Sequence, residues 1–104
     1  SGNTVENYTA FTTAPEVTNS SVIVLKSGKN VYVWFSFIED NSNHTGDTIK
    51  NLPKSAESVT VKTYVPVSNV ALNGILSEGS STFRVNSWNY NGKLVCGYFR
   101  YTCQ

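Results

Sequence analysis

The chain of 104 residues is long enough for one domain with a single hydrophobic core. Only 14% of its residues are charged, and the eight basic residues are scattered, which argues against a nucleic-acid partner. No apolar run approaches the roughly 18 residues that cross a bilayer, so the sequence predicts no membrane insertion. The absence of methionine leads us to expect a piece of a longer or processed protein.

The first stretch, Ser1–Asn19, is polar and rich in threonine, which is typical of a connector or a weak edge strand. Ser20–Ile38 follows, and two apolar, β-branched and aromatic runs flank its polar break at Ser27–Asn30. This pattern predicts a β-hairpin.

The second run of the hairpin has two unlike faces. Its odd positions, from Val31 to Phe37, are all apolar and predict a core face. Its even positions carry Tyr32, Trp34 and Ile38 beside one serine, which is too aromatic for a face left in water. We therefore expect this second face to pack on another sheet, a neighbouring subunit or a ligand.

Further strand and turn signals occupy the rest of the chain. Glu39–Gly46 is a polar loop, and Asp47–Pro53 after it is a short strand or extended turn. Ser58–Val67 is a half-solvated strand whose Pro66 suggests an edge, and Val70–Leu76 is a strand with a turn or bulge at Asn73-Gly74. The last two predicted strands are Thr82–Trp88 and Lys93–Cys103. No segment supports a helix. The pattern predicts an all-β fold, an antiparallel β-sandwich or jelly roll of seven to eight strands, with residues 1–19 as a connector or edge strand and residues 20–104 as the head domain.

Cys96 and Cys103 fall on the same predicted strand. Seven extended residues would separate their Cα atoms by roughly 23 Å and point the side chains to opposite faces. Because a disulfide needs a much shorter separation, we expect two free, structural thiols.

The sequence offers little catalytic chemistry. His44 is the only histidine, and it lies between Asp40 and Asp47 in the polar loop. This spacing matches no metal-site or acid–base motif, so we favour solvated surface side chains there. We expect no enzymatic activity, no metal and no cofactor.

The residues present fit saccharide recognition better than catalysis. Aromatic rings stack on the C–H faces of sugars, while amide, carboxylate and imidazole groups hydrogen-bond the hydroxyls. The candidate ligand-binding residues are Trp34, Trp88 and Tyr90, with Asp40, Asn43, His44, Asn89 and Asn91 as polar partners. Core or subunit packing is favoured for Trp34 because it lies in mid-strand, whereas core and ligand roles remain open for Trp88 and Tyr90. We expect the site to be built mainly from the loops Glu39–Asp47 and Trp88–Gly92.

The segments SGKNVYVWFSF, GDTIKNLP, VALNGILSEGSSTFRVN and NGKLVCGYFRY together resemble the C-terminal domains of bacteriophage tail-fibre and baseplate proteins. A Gly-Asn-x-Val hairpin, a Leu-Pro segment and a last strand after a Gly-x-Leu turn recur in those domains, and the similarity covers about residues 20–104. The resemblance implies a homotrimeric head in the virion tail or baseplate, assembled in the host cytoplasm, that binds a saccharide or protein on a bacterial surface.

Three functions follow from these observations. The first is a non-catalytic receptor-binding head that adheres to a cell-wall saccharide. The second is a structural or decoration domain that only caps a trimeric fibre tip. The third is a carbohydrate-binding module of a cell-wall hydrolase. The aromatic even face of the hairpin supports the trimer, because a monomer of this size would struggle to cover it.

Overall fold

The computed structural model describes residues 4–40 and 46–104. These residues are all-β, with short 3-10 turns and no α-helix among them. The strands are β1 Val5–Asn7, β2 Thr12–Thr13, β3 Val17–Ser27, β4 Asn30–Glu39, β5 Ile49–Lys50, β6 Val59–Val65, β7 Val70–Leu76, β8 Phe83–Val85 and β9 Leu94–Thr102. No helix of the described segments is long and apolar enough to span a membrane.

The nine strands described form one antiparallel sheet in the order β1-β3-β4-β9-β6-β7-β8-β5-β2. The predicted hairpin is confirmed as β3 and β4. The all-β class is also confirmed, but two separate sandwich sheets are not seen in the described part of the chain. The physical reason is β9, which pairs with β4 along its whole length and with β6 at Thr63 and Tyr64, and so joins the halves into one sheet.

The N-terminal segment connects the two edges of the curled sheet. β1 lies at one edge and β2 at the other, although only residues 8–11 separate them. An extended chain from Asn7 to Thr12 reaches at most about 18 Å, so the two edges must come within that distance. Tyr8 bridges them: its main-chain N–H donates to Val24 O and its hydroxyl donates to Asn51 O, each at 2.8 Å.

Aromatic rings from both halves of the sheet meet in the core. The rings of Phe35 and Phe83 are 5.2 Å apart, and those of Phe83 and Phe99 are 4.6 Å apart. Two glycines make room for them. A Cβ on Gly97 would lie 2.6 Å from the Phe35 ring, and one on Gly74 would lie 2.4 Å from the Phe83 ring, so any larger residue would push these rings apart.

Three local predictions need correction. The turn or bulge predicted at Asn73-Gly74 is absent, since both residues continue the register of β7 with β6. β6 is half-solvated as expected, but it lies between β9 and β7 rather than at an edge, because Pro66 begins a 3-10 turn just beyond the last paired residue. The strand predicted at residues 82–88 ends at Val85, and Trp88 begins a second 3-10 turn.

Both cysteines are free, as expected. Cys96 is half-buried and pairs with Ser36 on the outer side of the sheet, whereas Cys103 is buried in the core. The thiols therefore lie on opposite faces of the last strand.

Candidate functional site

Of the predicted loop Glu39–Asp47, the structure describes residues 39, 40, 46 and 47. Asp40 and residues 88–92 lie side by side, and we call them the end loops. Two main-chain bonds hold them together: Gly92 N–H donates to Glu39 O at 2.7 Å, and Glu39 N–H donates to Lys93 O at 3.1 Å. The structure thus brings Asp40 and the 88–92 turn to the same end of the sheet. Asn43 and His44, the other two predicted members of this loop, lie outside the described residues.

Members of the end loops differ in how much of each side chain reaches solvent. The side chain of Trp88 is 51% exposed. Asn89 and Asn91 are exposed, whereas Asp40 is half-buried and its N–H donates to Glu16 O at 2.8 Å. Tyr90 is half-buried and packs against the core, so its ring offers a ligand less surface than that of Trp88.

A buried carboxylate lies beneath the end loops. Glu39 is 2% exposed, and one of its carboxylate oxygens accepts a hydrogen bond from the Ser87 hydroxyl. This bond fixes the entry of the 3-10 turn that carries Trp88, so the contact positions the turn. Within residues 4–40 and 46–104, no group of three or more His, Cys, Asp and Glu side chains is placed to hold a metal ion.

A second surface lies on the outside of the sheet. We call it the outer aromatic face and define it by Ile23, Trp34, Tyr64 and Tyr98. Ile23 pairs with Trp34, which pairs with Tyr98, so these three side chains line up across β3, β4 and β9. Tyr64 on β6 pairs with Cys96 and lies diagonally next to Tyr98. The exposed fractions of the four side chains run from 41% for Trp34 to 52% for Ile23.

Two rings of the outer aromatic face, with Tyr32 beside them, form an aromatic platform. The centroids of Trp34 and Tyr98 are 5.0 Å apart, and those of Tyr32 and Trp34 are 6.4 Å apart with nearly parallel planes. A shallow open groove of about 470 Å³ runs along these side chains, and the hydroxyls of Ser21 and Ser36 lie at its border. Because the rings stand on paired strands, the sheet itself holds their spacing.

Trp34 is the sequence-predicted residue that lies on this face. It is about six residues from the end loops along β4, a distance of roughly 20 Å, so it belongs to a separate surface. The core packing favoured for it is not found within the single chain, because its ring borders the open groove. Sequence reasoning missed Ile23, Tyr64 and Tyr98, since the strand pairing that brings them to Trp34 spans up to 64 residues of the chain.

Comparison of the chain with protein-family models, with curated proteins and with solved structures found no match. The functional argument therefore rests on the two surfaces and their chemistry.

Proposed function

We propose that this chain is a non-catalytic domain that attaches to a saccharide on a bacterial surface, as the receptor-binding head of a phage tail fibre or baseplate protein. The observation that carries the proposal is the outer aromatic face, with Trp34 and Tyr98 exposed side by side on a sheet. The resemblance of the sequence to tail-fibre head domains supports the same function. We also propose that the two halves of this one curled sheet face each other as the layers of a sandwich do. The contact of Phe35 with Phe83 across the interior supports this arrangement.

The chemistry of this face fits a sugar. Pyranose rings present C–H groups to aromatic faces, and Trp34 and Tyr98 supply two neighbouring rings for such contacts. Hydroxyls of Tyr64, Ser21 and Ser36 can donate to or accept from sugar hydroxyls at the border of the groove. The open shape suits the middle of a polymer better than a buried chain end. Little conformational entropy is lost on binding, because the strands already fix the rings.

The experiment compares two exposed tryptophans. We would measure co-sedimentation of the domain with purified cell walls from a panel of bacteria, using Trp34→Ala and, as the matched variant, Trp88→Ala. Loss of a stacking ring at a binding hot spot weakens the binding free energy by roughly 1–3 kcal/mol, which is about 5- to 150-fold in affinity. We expect this loss for Trp34→Ala and wild-type binding for Trp88→Ala, with circular dichroism showing that both variants are folded.

The opposite outcomes are equally informative. A loss confined to Trp88→Ala would move the site to the end loops, and Tyr90→Ala and Asp40→Ala would then test its extent. Binding to no wall in the panel, or equal binding by both variants and the wild type, would refute the proposal that aromatic stacking on a saccharide is the function.

The second candidate function is a structural fibre tip, in which the outer aromatic face is covered by another subunit. The exposed rings favour it too, because they are the kind of surface that subunits bury. Multi-angle light scattering at micromolar concentration tests the trimer. A monomeric mass would remove the fibre-tip alternative and leave the ligand as the occupant of this face.

A further inference from the structure

The strands of the outer aromatic face carry only positive charge on their outer side. The strands that form it, β3, β4, β6 and β9, and β7 beside β6, carry the basic residues Lys62 and Arg100 on this side. Lys26 pairs with Val31 and so lies on the inner side, together with Glu6, its partner on the edge strand β1. The one acidic residue of these five strands is Glu39, which is 2% exposed and points to the inner side. The outer side of these five strands therefore presents the positive charges of Lys62 and Arg100, and none of their own carboxylates lies on that side.

Arg100 lies next to the aromatic platform. It pairs with Tyr32 across β4 and β9, so it is the diagonal neighbour of Trp34 at roughly 7–8 Å. One guanidinium nitrogen donates to Asn30 Oδ1 at 3.3 Å. A guanidinium has five N–H donors in a planar fork, so most of them remain available to an anion.

Lys62 approaches the platform from the other side. Thr63 pairs with Gly97, and continuing this antiparallel register by one residue places Lys62 opposite Tyr98. A Cβ on Gly97 would lie 3.4 Å from Lys62 O, which confirms that the two strands run close together here. Lys62 is exposed and makes no ion pair with any described residue.

One exposed acidic residue, Glu57, lies at the end of β9 near Arg100. Its carboxylate accepts from the N–H of Thr102 at 2.9 Å, and it forms no ion pair with Arg100. Glu57 thus contacts the end of β9 two residues beyond Arg100, where the N–H of Thr102 already occupies one of its carboxylate oxygens.

These placements lead us to propose that the ligand of the outer aromatic face is an acidic polysaccharide. Its sugar rings stack on Trp34 and Tyr98, and its negative groups, carboxylates or phosphodiesters, pair with Arg100 and Lys62. This inference rests on the proposed function and names its ligand class. Positive charge also disfavours a two-fold contact of this face with itself, because that contact would bring two copies of Arg100 and Lys62 together.

The test uses a polymer whose charge can be removed without changing its backbone. Polygalacturonate carries one carboxylate per sugar, and its fully methyl-esterified form carries none. Purified Gram-positive walls before and after hydrogen fluoride treatment, which removes phosphodiester-linked polymers, give the phosphate arm. The protein variants are the double substitution Lys62→Gln with Arg100→Gln, and Lys54→Gln as the matched control, because Lys54 is an exposed lysine without an ion pair.

We expect the wild type to bind at least one acidic probe and to lose about tenfold or more on its neutral counterpart. The double variant should lose a similar factor on the acidic probe and nothing on the neutral one, while Lys54→Gln binds like the wild type. Raising NaCl from 50 to 500 mM should weaken binding of the acidic probe alone. Preference for the carboxylate or the phosphate arm identifies the source of the charge.

Two results would overturn the inference and leave the proposed function standing: equal binding of charged and neutral probes, or a double variant that binds the acidic probe like the wild type. Inorganic polyphosphate tests for attraction to any polyanion. If it binds as tightly as the acidic sugar polymers and Trp34→Ala has no effect on any of them, stacking on sugars plays no part, and both proposals fail.

Discussion

Replacing Tyr101 by Phe tests the packing of β9, the strand on which the whole sheet depends. Tyr101 is 1% exposed, and its hydroxyl donates to Pro53 O at 2.8 Å. The substitution keeps the ring and removes the bond, which leaves the carbonyl of Pro53 without this donor. Pro53 is half-buried, and a hydrogen bond of this kind contributes about 0.5–1.5 kcal/mol, so we expect the free energy of unfolding to fall by that amount.

The same hydroxyl predicts a dependence on alkaline pH. Burial raises the pKa of Tyr101 well above its ordinary value of 10.0, and the nearby Cys103 and Tyr8 groups raise it further. Above pH 10 the unfolded chain therefore loses this proton while the folded chain keeps it, so rising pH favours unfolding. A full proton difference lowers stability by about 1.4 kcal/mol per pH unit, and the part from Tyr101 is about 1 kcal/mol between pH 10 and 11.

Urea unfolding at pH 8, 10 and 11 measures both effects. Other groups titrate in this range, so the informative quantity is the difference between the wild type and Tyr101→Phe. This difference should be largest at pH 8 and shrink by about 1 kcal/mol between pH 10 and 11. Tyr98→Phe, on the exposed side of the same strand, is the control and should show neither effect. A constant difference across the three pH values would refute the argument that Tyr101 stays protonated in the folded chain.

Three further predictions concern the fold. Tyr8→Phe removes the hydrogen bond from the Tyr8 hydroxyl to Asn51 O and should lower the free energy of unfolding in urea by about 0.5–1.5 kcal/mol. No change would show that this bond does not help to hold the edges of the sheet together. Gly74→Ala places a Cβ in the space of the Phe83 ring and should cost about 1–3 kcal/mol; wild-type stability would mean that the core has room to adjust. In native protein an aromatic disulfide reagent should label Cys96 faster than Cys103, with both labelled after unfolding; a joined Cys96–Cys103 peptide by mass spectrometry would contradict the free thiols.

Local patterns were sufficient to predict the central hairpin. The alternation of Val31 to Phe37 against Tyr32 to Ile38 separates two faces, and the polar break at Ser27–Asn30 fixes the turn. The same reasoning could not predict the single sheet, because that depends on β9 pairing with β4 and β6 at once. Each of those contacts joins residues far apart in the chain, and alternation within a strand says nothing about its neighbours.

The two glycines show the same limit. A glycine within a β-prone run is an ordinary signal for a turn or bulge, and Asn73-Gly74 was interpreted in that way. In the structure Gly74 and Gly97 are fully paired, and each faces an aromatic ring from another strand. Glycine is required at these two positions because an aromatic ring of another strand lies opposite. The residues next to each glycine in the sequence do not reveal that ring.

The candidate site was predictable only in part, for a reason that lies in the composition of β4 and β9. On each strand both faces carry aromatic residues, so a period of two identifies the faces without saying which is buried. The inner side is occupied by Phe35 and Phe99, which already form the core with Phe83. Trp34 and Tyr98 therefore add little to the burial that stabilises the fold, and their exposure makes the chain more prone to associate. Because these rings contribute little to folding, their exposure beside Arg100 and Lys62 supports the proposal that the outer aromatic face serves binding rather than stability.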